Sequence, residues 1–338
     1  MCLFEQKNYS FKMSELQKLH IKTPLLRSHE LSLINSLNGF ERNIFLKLDN
    51  CQPSGSFKIR GIGYLIQTHL EKNINLVVSS SGGNAGLAAA YASQQSNLKS
   101  LVLTPTTVLP SVVQKLKSYN ADVMIYGDVW DETDRKAREI CNENPLALYV
   151  PPFDHELIWK GNASLIEEIF HQLENLIPDC IVCSVGGGGL ILGIIEGLIQ
   201  TGWINKDIKI IAVETEGADC FNASIKAGLL VSLNEITSIA KSLGAKKCAS
   251  KLLEYYDQFK GKIESIVVSD TEVVLTMEKF LDDHRYLVEP SCGASLVVAY
   301  NIDKYLGKNK FKNVVVEVCG GSSIALENFL DYKKRLIK

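Results

Sequence analysis

Short apolar segments alternate with longer mixed segments along most of this chain, and this alternation restricts its fold more than any other feature. The apolar segments have the length and composition of buried strands: "LVVS" (76–79), "SLVLTP" (100–105), "DVMIYG" (122–127), "CIVCSV" (180–185), "IKIIAVE" (208–214), "ESIVVS" (264–269) and "NVVVEV" (313–318). The mixed segments between them have the length of helices. Strands that alternate with helices predict an α/β fold with mostly parallel sheets covered by helices.

The chain length favours two domains. There are 338 residues, and one domain typically takes about 150 residues. We place a smaller domain at residues 50–155 and a larger domain at 1–49 and 156–338. The segment "YVPPFDHE" (149–156) is interpreted as the place where the chain returns from the smaller domain to the larger one. An active site is expected in the cleft between them.

Charge and composition exclude several classes of partner. The formal net charge is −2 and the isoelectric point is about 6.3, so neither nucleic acid nor a membrane is expected as a partner. The segment 180–199 has about the length of a membrane span, but four consecutive glycines and Glu196 predict a strand followed by a helix. Nine scattered cysteines do not form a disulfide framework, and the N-terminus lacks a secretory pattern, so we expect a cytoplasmic protein.

Three predicted strands end in Gly/Ser turns that open helices. They lie in "VVSSSGGNAGLAAAYA" (77–92), "VCSVGGGGLILGII" (182–195) and "VEVCGGSSIALENF" (316–329). Glycine lets the backbone approach a ligand closely, and a helix N-terminus presents N–H groups and partial positive charge to it. Because the carboxyl ends of parallel strands meet at one edge of a sheet, these junctions are expected to converge on one cleft.

A single lysine, Lys58, follows the turn in "CQPSGSFKIRG" (51–61). On this stretch alone, the loop predicts a turn with Ser56 as a helix cap and Lys58 in solvent. The glycine runs match neither the dinucleotide spacing nor the P-loop. A lysine together with a tetraglycine anion site is instead what a phosphate-bearing aldehyde cofactor needs, because the lysine can bond covalently to the aldehyde.

Seven motifs in order resemble one known family. They are "LHIKTPLL" (19–26) together with "PSGSFKIRG", "SSGGNAG", "SVGGGGL", "VETEGA" with "SLGA", "EPSCGASL" and "CGGSS" (319–323). The chain is similar to pyridoxal-phosphate enzymes of fold type II, and within them to the L-serine dehydratase and L-threonine deaminase group. The resemblance implies a tryptophan-synthase-β-like fold, with two open twisted sheets flanked by helices in a large and a small domain. It also implies pyridoxal 5'-phosphate as cofactor and a homodimer.

The resemblance assigns roles residue by residue. Lys58 is the catalytic lysine bonded to the cofactor, Phe57 stacks on the pyridine ring, and Asn84 hydrogen-bonds the phenolic oxygen. The phosphate is held by the backbone of Gly186, Gly187, Gly188 and Gly189. The substrate carboxylate is received by the loop of Ser81, Gly82, Gly83, Asn84 and Ala85. Cys319 lies beside the pyridine nitrogen, and a neutral partner there disfavours a long-lived carbanion and so favours prompt elimination.

The activity implied is dehydration and deamination. L-Serine gives pyruvate and ammonia, and L-threonine gives 2-oxobutyrate and ammonia, as in amino-acid catabolism. Racemases of the family carry a second serine where this chain has Gly82, so racemisation is not expected. "CGGSS" ends only 15 residues before the C-terminus, so we expect no regulatory domain. Two alternatives stay open: a β-replacement synthase of the same fold, and a non-catalytic ligand-binding member.

A cation site is the last feature that the resemblance implies. The matching positions are Gly186, Glu214, Ala218, Leu243 and Ala245, which offer hard oxygen ligands. The next family ligand is Asp or Ser, whereas this chain has Cys220, a poor ligand for magnesium or potassium. We therefore predict a monovalent cation such as K⁺, with Cys220 barely involved; the alternative is that no ion binds.

Overall fold

The structure is a computed structural model that describes residues 18–36 and 39–337; the N-terminal residues without a secretory pattern lie mostly outside this part. The described strands are β1 (Leu25–Ser28), β2 (Asn43–Leu48), β3 (Leu76–Ser79), β4 (Lys99–Thr104), β5 (Asp122–Ile125), β6 (Ala147–Val150), β7 (Cys180–Ser184), β8 (Lys209–Thr215), β9 (Ile263–Val268) and β10 (Asn313–Val318). All seven strands predicted from the apolar segments are present.

The strands form two separate sheets. The larger has the order β1-β2-β10-β7-β8-β9, and the smaller has the order β5-β4-β3-β6. Every neighbouring pair is parallel except β1 with β2, which is antiparallel. The expected α/β fold with two mostly parallel sheets is therefore confirmed, and all strands of the smaller sheet lie within residues 76–150.

Helices connect the strands and cover the sheets. They are α1 (His29–Asn35), α2 (Lys58–His69), α3 (Asn84–Gln95), α4 (Pro110–Ser118), α5 (Trp130–Glu143), α6 (Glu156–Asn162), α7 (Ser164–Gln172), α8 (Gly189–Gln200), α9 (Cys220–Ala227), α10 (Ser250–Gln258), α11 (Asp270–His284), α12 (Pro290–Tyr300), α13 (Ile302–Leu306) and α14 (Leu326–Leu336). Each of the three Gly/Ser junctions lies between a strand and a helix, as predicted.

The segment 180–199 is a strand followed by a helix. Strand β7 is buried along its whole length, and α8 begins at Gly189, the last of the four glycines. Within the part of the chain that the structure describes, no helix is both long and apolar enough to cross a membrane. The apolar residues of this segment belong to the hydrophobic core around the larger sheet, which explains why the segment resembles a membrane span in composition.

A buried ion network anchors α2, the helix that begins at Lys58. Arg60 Nε and Nη2 donate to the two carboxylate oxygens of Asp49 at 2.6 and 2.7 Å. Its Nη1 and Nη2 donate to the two oxygens of Glu168 at 2.7 and 2.9 Å. Such bidentate, charge-assisted pairs are stronger and more directional than neutral hydrogen bonds. Asp49 follows β2 and Glu168 lies on α7, so one guanidinium joins three elements.

A second cation balances the charge of this network. Lys47 on β2 is fully buried, and its Nζ donates to Glu168 Oε2 at 2.5 Å and to the carbonyl of Thr23 at 2.9 Å. Burial tends to raise the pKa of Asp49, but the neighbouring Arg60 holds it below its usual range. Two cations thus face two carboxylates, which is the condition under which a buried ionic cluster is tolerated.

Replacing Arg60 with Met should lower the free energy of unfolding by about 3–5 kcal/mol, because two buried carboxylates lose their shared partner. In the wild type, the lowered pKa of Asp49 means that pairing stabilises the fold above about pH 4 and that this stabilisation is lost as the pH falls. In the variant an unpaired buried carboxyl has a raised pKa, so stability should fall as the pH rises. Urea denaturation of the two proteins across this pH range measures both effects.

Arg335→Ala provides the control. Arg335 Nε lies 2.9 Å from Asp331 Oδ2, and both side chains are exposed. Its loss should change the free energy of unfolding by less than about 1 kcal/mol. An equally small effect of Arg60→Met would contradict the anchoring role of the buried network.

Candidate active site

Lys58 lies in a partly buried position at the start of α2. Its Nζ donates to the carbonyl of Pro152 at 2.6 Å and lies 5.2 Å from the centroid of the Phe57 ring. Burial lowers the pKa of Lys58 to about 8, although Cys319 and Glu289 act to raise it. The prediction from the local stretch, a solvated lysine, is therefore wrong, because tertiary packing encloses the amine. A buried amine with a lowered pKa in a cleft is typical of a functional group.

The loop before Lys58 is paired with the loop after β10. Phe57 N–H donates to the carbonyl of Cys319 at 3.0 Å, and Ser56 forms an antiparallel bridge with Gly320. Ser56 therefore does not cap α2: the residue before the helix is Phe57, and no side chain caps it. The expectation of a Ser56 cap is wrong, because this bridge engages the backbone of Ser56 outside the helix.

Cys319 lies beside this paired loop as a buried thiol. A hydrogen bond with Cys292, together with burial, raises the pKa of Cys319 well above its usual range. The group is therefore neutral at physiological pH. A neutral side chain at this position is what the family resemblance requires.

The tetraglycine loop joins β7 to α8. Gly188 has φ +96°, which favours glycine, and a Cβ on Gly187 would lie 2.4 Å from the ring of Phe153. A Cβ on Gly186 would lie 2.8 Å from Leu243 Cα. The first N–H groups of α8 have no acceptor within the helix. The loop is thus a backbone cradle: side chains in place of its glycines would fill the space beside it. Its N–H groups that have no acceptor within the helix suit a phosphate.

Asn84 begins α3, and its amide is hydrogen-bonded on both sides. Its Nδ2 lies 2.9 Å from Glu289 Oε1 and 3.4 Å from Ser242 Oγ. Its Oδ1 accepts from the N–H of Ser322 at 2.8 Å. Asn84 therefore connects the β3–α3 junction with the loop that carries Cys319.

The other residues of the predicted carboxylate loop lie just before Asn84 or in the first turn of α3. Gly83 N–H donates to Ser81 Oγ at 3.3 Å. A Cβ on Gly82 would lie 2.9 Å from Thr104 Cγ2, so this position has no side chain and little space for one. Ala85 is buried in the core beneath the loop. The helix N-terminus leaves backbone donors for an anion at this point.

The predicted cation positions lie behind the tetraglycine loop. Gly186 packs against the backbone of Leu243, and Cys220 Sγ donates to the carbonyl of Gly186 at 3.7 Å. Glu214 is fully buried and accepts from two backbone N–H groups, and burial raises its pKa to about 8. Ala218 is also buried.

Side chains contribute little to this cation position. The N–H of Ala245 donates to the carbonyl of Leu243 at 2.7 Å. Across the described ranges, no group of three or more His, Cys, Asp or Glu side chains could hold a metal ion. A cation at this position would therefore depend mainly on carbonyl oxygens.

Four residues of the site were not assigned from the sequence. Pro152 and Phe153 line the cleft beside Lys58 and the tetraglycine loop, although "YVPPFDHE" indicated only a crossing. Ser242 and Glu289 contact Asn84. Glu289 lies inside the motif "EPSCGASL", so the motif itself was a signal, but only the fold shows which side chain it contacts.

The residues present fit pyridoxal phosphate. A lysine with a lowered pKa can bond to the aldehyde, and the glycine cradle with its unpaired N–H groups can hold the phosphate. A neutral thiol and an amide lie on the neighbouring loops. The donor set therefore matches the aldehyde, the phosphate and the ring of this cofactor.

Comparison with known proteins leads to the same family. A sequence model described as "Pyridoxal-phosphate dependent enzyme" matches residues 16–320. A human protein named "Serine dehydratase-like" is 45% identical over 314 residues, which cover 91% of this chain and 92% of that protein. The bovine "L-serine dehydratase/L-threonine deaminase" is 43% identical over 324 residues, covering 94% of this chain and 96% of that protein.

The fold agrees with this assignment. The crystal structure of a fungal L-serine ammonia-lyase from Rhizomucor miehei matches with a TM-score of 0.87 and 35% identity, covering 95% of this chain and all of that one. The tryptophan-synthase-β-like architecture expected from the sequence is thus confirmed. From the matched length, the identity and the fold, this chain belongs to the family of pyridoxal-phosphate dependent enzymes.

Proposed function

We propose that this protein is an L-serine dehydratase that also deaminates L-threonine. Elimination of water from the substrate, followed by hydrolysis, yields pyruvate and ammonia from serine, and 2-oxobutyrate and ammonia from threonine. The observation that carries the proposal is the convergence of the Lys58 amine, the neutral Cys319 and the Asn84 amide beside a glycine anion cradle. The names of the related human, bovine and fungal proteins support it.

The cofactor would be held by the residues that converge in the cleft. Lys58 would bond to it, Phe57 would cover one ring face, and Asn84 and Cys319 would contact its phenolic oxygen and ring nitrogen. Gly186, Gly187, Gly188 and Gly189 would bind the phosphate. When bound, pyridoxal phosphate withdraws electrons from the substrate α-carbon and so acidifies its proton.

The chain's own groups then bind the substrate and move its proton. Backbone N–H groups at residues 82–85 hold the substrate carboxylate at the start of α3. Lys58 Nζ, freed when the substrate amine takes its place on the cofactor, would accept the α-proton, because an amine with a pKa of about 8 is a competent base near neutral pH. Cys319 stays neutral; beside the ring nitrogen of the cofactor it would offer no charge to hold a proton there, which would favour elimination over transamination.

We also propose the organisation in which this site works. The smaller domain comprises residues 50–155 and the larger comprises 1–49 and 156–338, with the active site in the cleft between them. The enzyme acts as a cytoplasmic homodimer on free amino acids in their catabolism, and the pyruvate it forms can enter gluconeogenesis. A monovalent cation behind the tetraglycine loop supports the phosphate site.

Lys58→Ala should reduce keto-acid formation from L-serine by at least about a thousandfold, because the variant loses its general base and its covalent link. Borohydride treatment of the wild type should fix the cofactor to the peptide that contains Lys58, as detected by mass spectrometry. Lys72→Ala is the control, because Lys72 is exposed and follows the same helix. Recovery of the adduct on another lysine would show the assignment to be wrong, and sulfide-dependent product formation without keto acid would indicate a β-replacement synthase.

Racemisation of L-serine should be at least about a hundredfold slower than elimination, because Gly82 offers no side chain to return a proton from the opposite face. Chiral chromatography of D-serine, measured beside pyruvate in the same reaction, tests this. D-Serine formation at a rate close to that of pyruvate would contradict the prediction.

Potassium should raise both activity and melting temperature, whereas magnesium and chelator should have no effect, because the site consists of carbonyl oxygens and Glu214, and the neutral Cys220 replaces a ligand whose charge a divalent ion would need. Cys220→Asp adds a hard anionic ligand and should create a response to magnesium. Loss of wild-type turnover in chelator, restored by magnesium, would show that the site is divalent.

A further inference from the structure

Glu289 is a buried carboxyl at the centre of the candidate active site. It precedes α12 and is only 2% exposed. Its Oε1 accepts from Asn84 Nδ2 at 2.9 Å, its Oε2 accepts from the N–H of Ser323 at 3.2 Å, and Ser242 is a further hydrogen-bond partner. One carboxyl therefore connects three loops that surround the cofactor position.

The backbone around Glu289 is shaped to admit this carboxyl. Gly321 has φ +135°, and a Cβ there would lie 1.9 Å from the carboxyl carbon of Glu289. A larger residue at position 321 would therefore exclude the side chain. The loop that carries Cys319 closes over Glu289 only because glycine occupies this point.

The hydrogen bonds determine which way the Asn84 amide faces. The N–H of Ser322 is an obligatory donor, so the Asn84 atom 2.8 Å from it is the oxygen. The amide nitrogen therefore faces Glu289. A primary amide nitrogen has two hydrogens. One is bound by Glu289 at 2.9 Å, and the other faces Ser242 Oγ at 3.4 Å, a distance beyond the usual range for a hydrogen bond, so that this hydrogen can also bind a ligand.

The groups around Glu289 are arranged so that its carboxyl accepts their hydrogen bonds. Burial raises the pKa of Glu289 above its usual range, and its hydrogen bonds with Ser242, Asn84 and the Ser323 N–H, together with the nearby Lys58, offset only part of this rise. Two carboxyl oxygens thus face three hydrogen-bonding groups. Each of these bonds is strongest when Glu289 is ionised.

We propose that Glu289 is a positioning residue that orients the Asn84 amide, so that a fixed N–H is presented to the cofactor's phenolic oxygen. The inference rests on the proposed role of Asn84 toward the cofactor. Glu289 acts through Asn84 and needs no contact with substrate. It holds the carboxylate loop, the Ser242 segment and the Cys319 loop in one arrangement before the cofactor binds.

Glu289→Gln tests this with little change in volume. A glutamine can present its own N–H groups to Asn84, so the amide loses the carboxylate acceptor that holds its nitrogen and keeps only the Ser322 N–H on its oxygen. Cofactor affinity, titrated by fluorescence on the apoprotein, should weaken about tenfold, as expected for the loss of one oriented charge-assisted hydrogen bond. The visible band of the bound cofactor should shift, and kcat should fall while KM for L-serine changes less than about twofold.

A double-mutant cycle separates positioning from a general effect on the site. If Glu289 acts through Asn84, then Glu289→Gln added to Asn84→Ala should change cofactor affinity and spectrum no further. Additive effects in the double variant, or an unchanged affinity and spectrum in Glu289→Gln, would overturn the proposal. Glu289→Asp, which keeps an accepting carboxyl, should restore part of the affinity and provides a second route if the glutamine variant folds poorly.

Glu272→Gln is the matched control. Glu272 caps α11 through Ser269 and also accepts from Tyr305 at 2.5 Å, away from the cleft. This variant should lower the melting temperature of the apoprotein without changing cofactor affinity or spectrum. If the wild type bound cofactor but formed no keto acid, the proposed function would fail, yet affinity and spectrum would still decide the role of Glu289.

Discussion

The buried ion pairs of Arg60 fix the helix on which the chemistry depends. Arg60 and Lys58 are two residues apart on α2, so their side chains point about 200° apart around the helix axis. The guanidinium therefore holds the helix from the side opposite the amine, through Asp49 and Glu168. The hydrophobic effect is non-directional. The planar guanidinium of Arg60, hydrogen-bonded to two carboxylates, instead fixes both the rotation of α2 about its axis and its distance from those carboxylates. The position of the amine follows from that anchor.

Around this helix, the loops that follow β3, β7 and β10 form the site. Strands β7 and β10 are neighbours in the larger sheet, whereas β3 lies in the smaller sheet, and the hydrogen bonds of Asn84 with Ser322 and Glu289 join its loop to the others. Two of these loops also approach other segments through backbone atoms: Phe57 N–H donates to the carbonyl of Cys319, and Gly186 lies close to the backbone of Leu243. Glycine is required where these approaches are closest, since a Cβ would fill the space. Glu289 adds a side-chain link between the same loops. The site is thus largely backbone, with a few polar side chains that orient it.

Sequence patterns predicted seven strands, including the edge strands β5 and β9, and missed the three whose sequences are less regular. Six of the seven apolar segments are strands that contain buried residues, and such strands carry a strong apolar signal; the seventh, β5, has no buried residue but keeps an apolar sequence. The missed strands differ: β1 is a half-exposed antiparallel edge strand, β2 contains the charged Lys47, and β6 precedes two prolines. A charged residue within a buried strand interrupts the apolar run by which such a strand is recognised in the sequence. Lys47 is tolerated there only because Glu168 lies beside it.

The sequence by itself determined the class of fold and the chemistry of the site, because glycine runs, a lone lysine and a neutral cysteine are properties of residue type and order. It also determined the family, through motifs along nearly the whole chain. Only the tertiary structure decided that Lys58 is enclosed, that Ser56 pairs instead of capping, and that Glu289 accepts a hydrogen bond from Asn84. Each of these depends on contacts between residues from 94 to 264 positions apart, as in Lys58 with Pro152, Ser56 with Gly320, and Asn84 with Glu289. Local propensity contains no information about such pairs, because they exist only once the sheets have brought the loops together.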